Sequence, residues 1–72
     1  MSKEVTLIFG KDSCPYTSAA RHDYEKEGRP YRYLNVIKDK ESLNQMLVYS
    51  KGVREVPVLV TGDQVTIGYG GT

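Results

Sequence analysis

The sequence KDSCPYT, residues 11–17, marks the junction around which the chain is organised, because an apolar β run ends just before it and a helix must begin within it. Pro15 suits the first turn of a helix, where its missing N–H would be unpaired in any case. Cys14 is therefore predicted to lie at a helix N-terminus, where unpaired N–H groups and the helix dipole favour an anion. For a cysteine that anion is the thiolate, which is the nucleophilic form.

Two neighbours of Cys14 favour the same ionised state. Lys11, three residues earlier, brings a positive charge to the same side. Thr17, three residues later, returns to the same helix face and can donate a hydrogen bond to the sulfur. A lone cysteine is more often a small buried hydrophobic side chain. An apolar core position is not expected between Lys, Asp and Ser on one side and Pro on the other, so we interpret Cys14 as a reactive thiol.

Length and composition predict a single small domain, residues 1–72, with one modest core. The net charge is +1, and the ten basic and nine acidic residues are spread along the chain, which gives no basic surface for nucleic acid or an anionic membrane. No apolar run is long enough to span a bilayer, and no N-terminal signal pattern is present. One cysteine cannot form an internal disulfide. We expect a cytoplasmic monomer that binds neither nucleic acid nor a membrane.

The rest of the chain predicts strands alternating with helices. β-branched and apolar runs predict four strands, at residues 4–9, 31–37, 56–60 and 65–67, with a tight hairpin turn at 61–64. Helical spacing predicts helices at 15–27 and 40–50, the first ended by Gly28 and the second capped by Asp39. Pro57, near the start of a strand, indicates an edge strand or a special backbone geometry such as a cis bond.

The predicted element order is β-α-β-α-β-β. The β-α-β crossover requires a parallel pair of strands, whereas the final hairpin is antiparallel. We therefore expect an α/β fold in which helices pack on a four-stranded mixed sheet. The expected buried helix residues are Ala19, Ala20, Tyr24, Leu43, Met46 and Leu47. The closing residues 68–72 are expected to be flexible.

Several motifs, in the right order, resemble those of the glutaredoxins, a family of the thioredoxin fold. Cys14-Pro15-Tyr16-Thr17 matches the family's Cys-Pro-Tyr-Cys active site at three of four positions. Lys11 stands where the family commonly has a lysine, and residues 31–36 resemble its second strand. Val56-Pro57 matches the family's Val-Pro pair, and Gly68-Tyr69 matches the loop that follows it. The resemblance covers nearly the whole chain.

The resemblance implies a thiol–disulfide oxidoreductase in which Cys14 is the nucleophile and Lys11 and Thr17 stabilise its thiolate. A cis Pro57 would turn the Val56 backbone toward the thiol, where an extended peptide can pair with it. The other implied substrate-binding residues are Pro15, Tyr16, Arg54, Gly68 and Tyr69. For Tyr16, an exposed aromatic ring with no specific role is an equal alternative, and for Arg54 a solvated loop charge is the safer one.

Differences from the family pattern limit the reaction cycle and the substrate contacts that the resemblance implies. Thr17 replaces the second cysteine, so a thiol of another molecule, such as glutathione, must resolve the intermediate in a monothiol cycle. Gly70 and Gly71 stand where an aspartate usually holds the γ-glutamyl end of glutathione, and Glu55 adds a negative charge before Val56. We expect no bound cofactor and no metal, with glutathione as a possible co-substrate and protein disulfides as other partners. The family's final helix is expected to be absent.

Two alternatives stay open. The CPYT motif and the Gly-Gly-Thr end also resemble small bacterial glutaredoxin-like selenoproteins, so Cys14 can stand where a selenocysteine acts with a reductant other than glutathione. The chain can instead be a non-catalytic module that binds a thiol or an iron–sulfur cluster. Glutaredoxins that bridge such a cluster typically carry Cys-Gly-Phe-Ser, which this chain lacks.

Overall fold

The structure, a computed structural model, describes residues 4–70 and has the element order predicted from the sequence. The strands are β1 (Thr6–Gly10), β2 (Tyr31–Asn35), β3 (Val58–Thr61) and β4 (Gln64–Ile67), and the helices are α1 (Pro15–Lys26) and α2 (Lys40–Tyr49). They confirm the prediction of an α/β fold with one four-stranded mixed sheet.

The sheet has the strand order β2-β1-β3-β4. Strand β1 pairs in parallel with β2 and antiparallel with β3, and β3 pairs antiparallel with β4. Helix α1 is the crossover that parallel β1 and β2 require. A tight turn joins β3 to β4 as predicted, and Gly62 adopts a φ of 57° in it, a conformation that costs glycine little.

The two helices cover opposite faces of the sheet, because successive residues of a strand point to opposite sides. On one face, Ile8 of β1 and Leu59 of β3 pack with Ala20 and Tyr24 of α1. On the other, Met46 of α2 belongs to a second cluster of buried residues, which also contains Phe9, Val36, Val58 and Val60. The fold therefore has three layers, with α1 above the sheet and α2 below it.

The predicted bounds of β1 and β2 were wrong at their ends. Strand β1 begins at Thr6, leaving Val5 47% exposed, and it includes Gly10, which pairs with Asn35. Strand β2 ends at Asn35, whose side-chain oxygen accepts the backbone N–H groups of Ile37 (2.9 Å) and Lys38 (3.0 Å). This Asx turn ends the strand, so Ile37 lies outside it and is 72% exposed.

Strand β3 begins two residues later than predicted. The Val56-Pro57 peptide bond is cis and precedes the strand, and Pro57 has no N–H for a ladder. The prediction of a special backbone geometry at Pro57, such as a cis bond, is therefore confirmed. The alternative prediction of an edge strand is wrong, because β3 lies between β1 and β4.

The helix predictions hold to within one residue. Asp39 caps α2 by accepting the Glu41 N–H at 3.2 Å, as predicted. Gly28, just after α1, has a φ of 69°, the left-handed conformation typical of a helix end. Ala19 was predicted to be buried but is exposed. The buried residues of α1 are instead Thr17, Ala20 and Tyr24, which are three and four positions apart and so share one helix face.

The segment after β4 is tied to the sheet and to α1. The Gly68 N–H donates to the Pro57 carbonyl at 2.7 Å, and the Tyr69 hydroxyl donates to Asp23 of α1 at 2.6 Å. The expected flexibility is therefore wrong for Gly68 and Tyr69. Residues 71 and 72, and with them the place where the family's final helix would begin, lie outside the described residues. Neither helix in residues 4–70 is long and apolar enough to cross a membrane.

Candidate active site

A tight turn between β1 and α1 presents the thiol. The Cys14 N–H donates to the Lys11 carbonyl at 3.2 Å, which closes a turn with Asp12 and Ser13 at its corners. Cys14 is the N-cap of α1, and among the described residues its side chain makes no capping hydrogen bond. The N–H groups of the first helical turn therefore remain available to an anion at this position.

The sulfur of Cys14 lies between this helix end and the segment that precedes β3. The residue is only 8% exposed, and its thiol is free. The Sγ–H group donates to the Val56 carbonyl at 3.8 Å, a long and weak contact. The backbone next to the cis Val56-Pro57 bond thus faces the thiol, as the sequence analysis expected.

The pKa of the Cys14 thiol is lowered below its ordinary value. Burial raises this pKa, because desolvation penalises the charged form. The Thr17 hydroxyl, the backbone N–H groups of Thr17 and Tyr16, and the charge of Lys11 act in the opposite direction and together outweigh it. The site therefore favours the thiolate, which is the reactive form.

Thr17 is fully buried, and its hydroxyl oxygen has no hydrogen-bond partner among the described residues. The same hydroxyl is the strongest influence that lowers the Cys14 pKa. The two findings agree if the Thr17–sulfur hydrogen bond forms on ionisation, since the neutral thiol already donates to the Val56 carbonyl. A buried donor without a partner is costly, and a thiolate would remove that cost.

A cavity of about 250 Å³ brings together three of the predicted site residues, two of which, Lys11 and Val56, contact Cys14 through their carbonyl groups, although Cys14 itself does not line it. Lys11 and Arg54 contribute cations to its wall, and Val56 contributes an apolar surface. The sequence analysis did not assign the other lining residues to the site; they are Val36, Ile37, Leu43 and Met46. A larger cavity of about 320 Å³ lies at the opposite end of β1, where Thr6 lines it.

The remaining predicted site residues lie in different environments. Pro15 and Tyr16, in the first turn of α1, are exposed, and Tyr16 is 40% exposed. Gly68 is buried behind the Pro57 carbonyl. Tyr69 packs against the α1 core cluster, and its hydroxyl is bonded to Asp23. The Tyr69 hydroxyl thus contacts the helix that carries the thiol, a contact the sequence analysis did not foresee.

The sequence analysis also missed a group of polar residues beside the thiol. Tyr33 of β2 donates to Asp12 at 2.8 Å, Lys38 lies 3.7 Å from the same carboxylate, and the Arg21 guanidinium lies 4.0 Å from the centre of the Tyr33 ring. The alternation of tyrosines at 31 and 33 was a usable signal, because it places both on one face of β2.

Fold and site together define a thioredoxin-fold protein with a single thiol at a helix N-terminus. The glutaredoxin family model matches residues 6–66, so the chain belongs to the glutaredoxin family. No curated protein matches the chain.

Solved structures share this fold. A glutaredoxin (grx-1) from Archaeoglobus fulgidus is 27% identical, with a TM-score of 0.76 over 93% of this chain and 77% of that one. The glutaredoxin-like NrdH-redoxin from Escherichia coli is 23% identical, with a TM-score of 0.77 over 90% of this chain and 83% of that one. A buckwheat glutaredoxin, solved in complex with glutathione, is 21% identical, with a TM-score of 0.73 over 90% of this chain and 61% of that one.

Proposed function

We propose that this protein is a monothiol thiol–disulfide oxidoreductase in which Cys14 is the nucleophile and glutathione is the resolving thiol. Membership of the glutaredoxin family supports the reaction class. One observation carries the proposal: a buried free thiol, with a lowered pKa, lies at the N-terminus of α1 opposite the Val56 carbonyl.

The proposed cycle has two exchange steps. The Cys14 thiolate attacks one sulfur of a glutathione mixed disulfide, which forms a bond between Sγ and the glutathione sulfur and breaks the substrate S–S bond. The substrate leaves as a thiolate and takes up a proton from water. A second glutathione thiolate then attacks the mixed disulfide, which releases the Cys14 thiolate and glutathione disulfide. The net reaction consumes one free glutathione thiol for each mixed disulfide and yields the substrate thiol and glutathione disulfide, in which one half is the glutathionyl group taken from the substrate.

The resolving thiol comes from another molecule in this proposal, because the 72 residues contain one cysteine. Thr17 occupies the place of the second cysteine of the family motif. Its buried hydroxyl stabilises the Cys14 thiolate at that position instead of attacking the intermediate. The same hydroxyl makes Cys14 a better leaving group in the second step, since a thiol with a lower pKa leaves faster.

The cavity beside the thiol supports a substrate that carries a carboxylate. Lys11 and Arg54 both line it, and two cations in one cavity suit an anionic group. Val56 and Ile37 provide apolar contact in the same cavity. We propose that the glycine carboxylate of glutathione lies between the two cations while its sulfur meets Cys14.

The test is glutathione-dependent reduction of a small glutathione mixed disulfide by the wild type and four single variants. Cys14→Ser is expected to abolish turnover. Lys11→Ala and Arg54→Ala are expected to raise the KM for glutathione about fivefold to tenfold, the scale of the net contribution of one hydrogen bond. Arg32→Ala is the matched control, because Arg32 is an exposed arginine that lines a different cavity.

Turnover that survives Cys14→Ser would contradict the mechanism. Turnover that depends on Cys14 but has the same KM in Arg54→Ala and Arg32→Ala would contradict the carboxylate site alone. No turnover by the wild type with glutathione, combined with turnover by another thiol reductant, would contradict the choice of glutathione.

A further inference from the structure

A residue of strand β2 makes a hydrogen bond to the turn that carries the thiol. Asp12 lies at the corner of the turn closed by the Cys14 N–H and the Lys11 carbonyl, two residues before the sulfur. The Tyr33 hydroxyl of β2 donates to one oxygen of the Asp12 carboxylate at 2.8 Å. Lys38 lies 3.7 Å from the other oxygen, but this exposed pair adds little.

Tyr33 is itself fixed by the sheet and by α1. Its backbone pairs with Ile8 of β1, and its ring packs against the cluster beneath α1. The Arg21 guanidinium lies 4.0 Å from the ring centre, in the geometry of a cation–π contact. Arg21 follows Cys14 by seven residues, two turns along the same helix. The hydroxyl that bonds Asp12 is therefore held in one place by two elements.

We propose that Tyr33 is a positioning residue for Cys14: its hydroxyl holds Asp12, and through Asp12 it holds the turn that places the thiol at the N-terminus of α1. This inference rests on the proposed role of Cys14 as the nucleophile. Loss of the hydroxyl frees the turn, so the sulfur spends less time against the N–H groups that favour its thiolate.

The charges around the thiol fit this role. The positive charge of Lys11 in the turn acts on Cys14, whereas the carboxylate of Asp12 in the same turn accepts the hydrogen bond of Tyr33. Arg54 and Glu55, from the segment before β3, are exposed and of opposite sign.

The Tyr33 hydroxyl also stays protonated in the pH range in which the Cys14 thiol ionises. Burial and the hydrogen bond to Asp12 raise the pKa of Tyr33 to about 12, and the Cys14 thiolate acts in the same direction. Arg21 opposes this rise without cancelling it. The hydroxyl therefore donates to Asp12 throughout the range in which the thiol ionises.

The test measures the rate of iodoacetamide alkylation of Cys14 between pH 5 and pH 9, together with thermal unfolding curves. Tyr33→Phe is expected to slow alkylation at pH 7 about threefold and to move the rate profile to higher pH, the scale of one hydrogen bond. Tyr31→Phe is the matched control, because Tyr31 of the same strand donates to the Glu25 carboxylate at 2.5 Å, on α1. It is expected to react at the wild-type rate.

A charge-matched pair at Asp12 keeps the proposal testable even if Tyr33→Phe fails to fold. Asp12→Asn and Asp12→Ala remove the same charge, but only asparagine keeps an acceptor for Tyr33. Asp12→Ala is therefore expected to react about threefold more slowly than Asp12→Asn, since one hydrogen bond separates them. In a Tyr33→Phe background the two should react at equal rates.

Equal alkylation rates for Tyr33→Phe and Tyr31→Phe would overturn the proposal, as would equal rates for Asp12→Asn and Asp12→Ala with Tyr33 present. An equal slowing by Tyr33→Phe in the wild-type and Asp12→Ala backgrounds would also overturn it, since the hydroxyl would then act without Asp12. Alkylation requires no glutathione, so these results are independent of whether the proposed turnover is found.

Discussion

At the scale of single residues, the pKa of the Cys14 thiol is set by opposing influences: burial raises it, and the polar groups around the sulfur lower it. Burial alone would raise the thiol pKa, yet the pKa is lowered, because the N-terminus of α1, Lys11 and the Thr17 hydroxyl outweigh it. The buried Thr17 oxygen has no partner among the described residues while the sulfur is neutral. Its place in the fold is therefore better explained by the thiolate than by stability.

Thr17→Val tests this assignment with almost no change of shape. The pKa of Cys14 is expected to rise, because the largest influence that lowers it is removed. Alkylation at pH 7 should slow about threefold to tenfold, the scale of the net contribution of one hydrogen bond. At a pH below the folded pKa of Cys14, where the thiol is neutral, the free energy of unfolding is expected to stay equal or increase, since a buried hydroxyl without a partner becomes a methyl.

The measurements are the thiolate absorbance as a function of pH and a denaturant unfolding curve. An unchanged thiolate titration would remove Thr17 from the mechanism. A lower unfolding free energy with an unchanged titration would instead make Thr17 a purely structural residue.

At the scale of elements, the sequence predicted the type and order of every strand and helix, because their periodicities are distinct. It also placed Cys14 correctly at the start of α1, because Pro15 marks a first helical turn. The errors fall at strand ends, where tertiary pairing decides. Nothing in the local sequence shows that Gly10 pairs with Asn35, or that the Asn35 side chain ends β2.

The contacts of the site were less predictable than its motif. A motif gives the neighbours of Cys14 along the chain, such as Lys11 and Thr17, but not those from distant strands. The hydrogen bonds of Tyr33 to Asp12 and of Tyr69 to Asp23 join residues 21 and 46 positions apart, and only the folded chain brings them together.

Gly10 shows how closely β1 and α1 approach beneath the thiol. A β-carbon on Gly10 would overlap the side chain of Thr17. Gly10→Ala is therefore expected to lower the free energy of unfolding by about 1–3 kcal/mol, the usual cost of overpacking. It should also slow alkylation of Cys14, because Thr17 must move.

Denaturant unfolding and the alkylation rate measure the two effects. Thr17→Ala provides the control background, since it removes Cγ2 and Oγ1 of Thr17, the two atoms that the new methyl would meet most closely. In that background Gly10→Ala should cost much less. A cost that is the same in both backgrounds would show that the close approach to Thr17 is not its cause.

At the scale of the whole molecule, the lowered thiol pKa links stability to pH. A group with a depressed pKa in the folded state holds fewer protons there than in the unfolded chain, so stability rises with pH between the two values. For Cys14 this window runs from its lowered folded pKa up to about 8.5 in the unfolded chain. The stabilisation is lost as the pH falls through the folded pKa.

The melting temperature of the wild type is therefore expected to rise relative to that of Cys14→Ser as the pH increases through this window toward 9. Tyr33 and Tyr69, whose pKa values are raised to about 12, act only above about pH 10 and in the opposite direction. Calorimetry of both proteins at several pH values measures the difference. Parallel curves between pH 6 and pH 9 would show that the Cys14 pKa is the same in the folded and unfolded chains.

The most direct test of the central claim is the mass of the intact chain after brief exposure to glutathione disulfide at pH 7. We expect one glutathionyl group per wild-type chain, none on Cys14→Ser, and complete release of the group when reduced glutathione is added. A wild-type chain that keeps its original mass, under conditions in which an unfolded cysteine peptide reacts, would contradict a nucleophilic Cys14 that exchanges with glutathione.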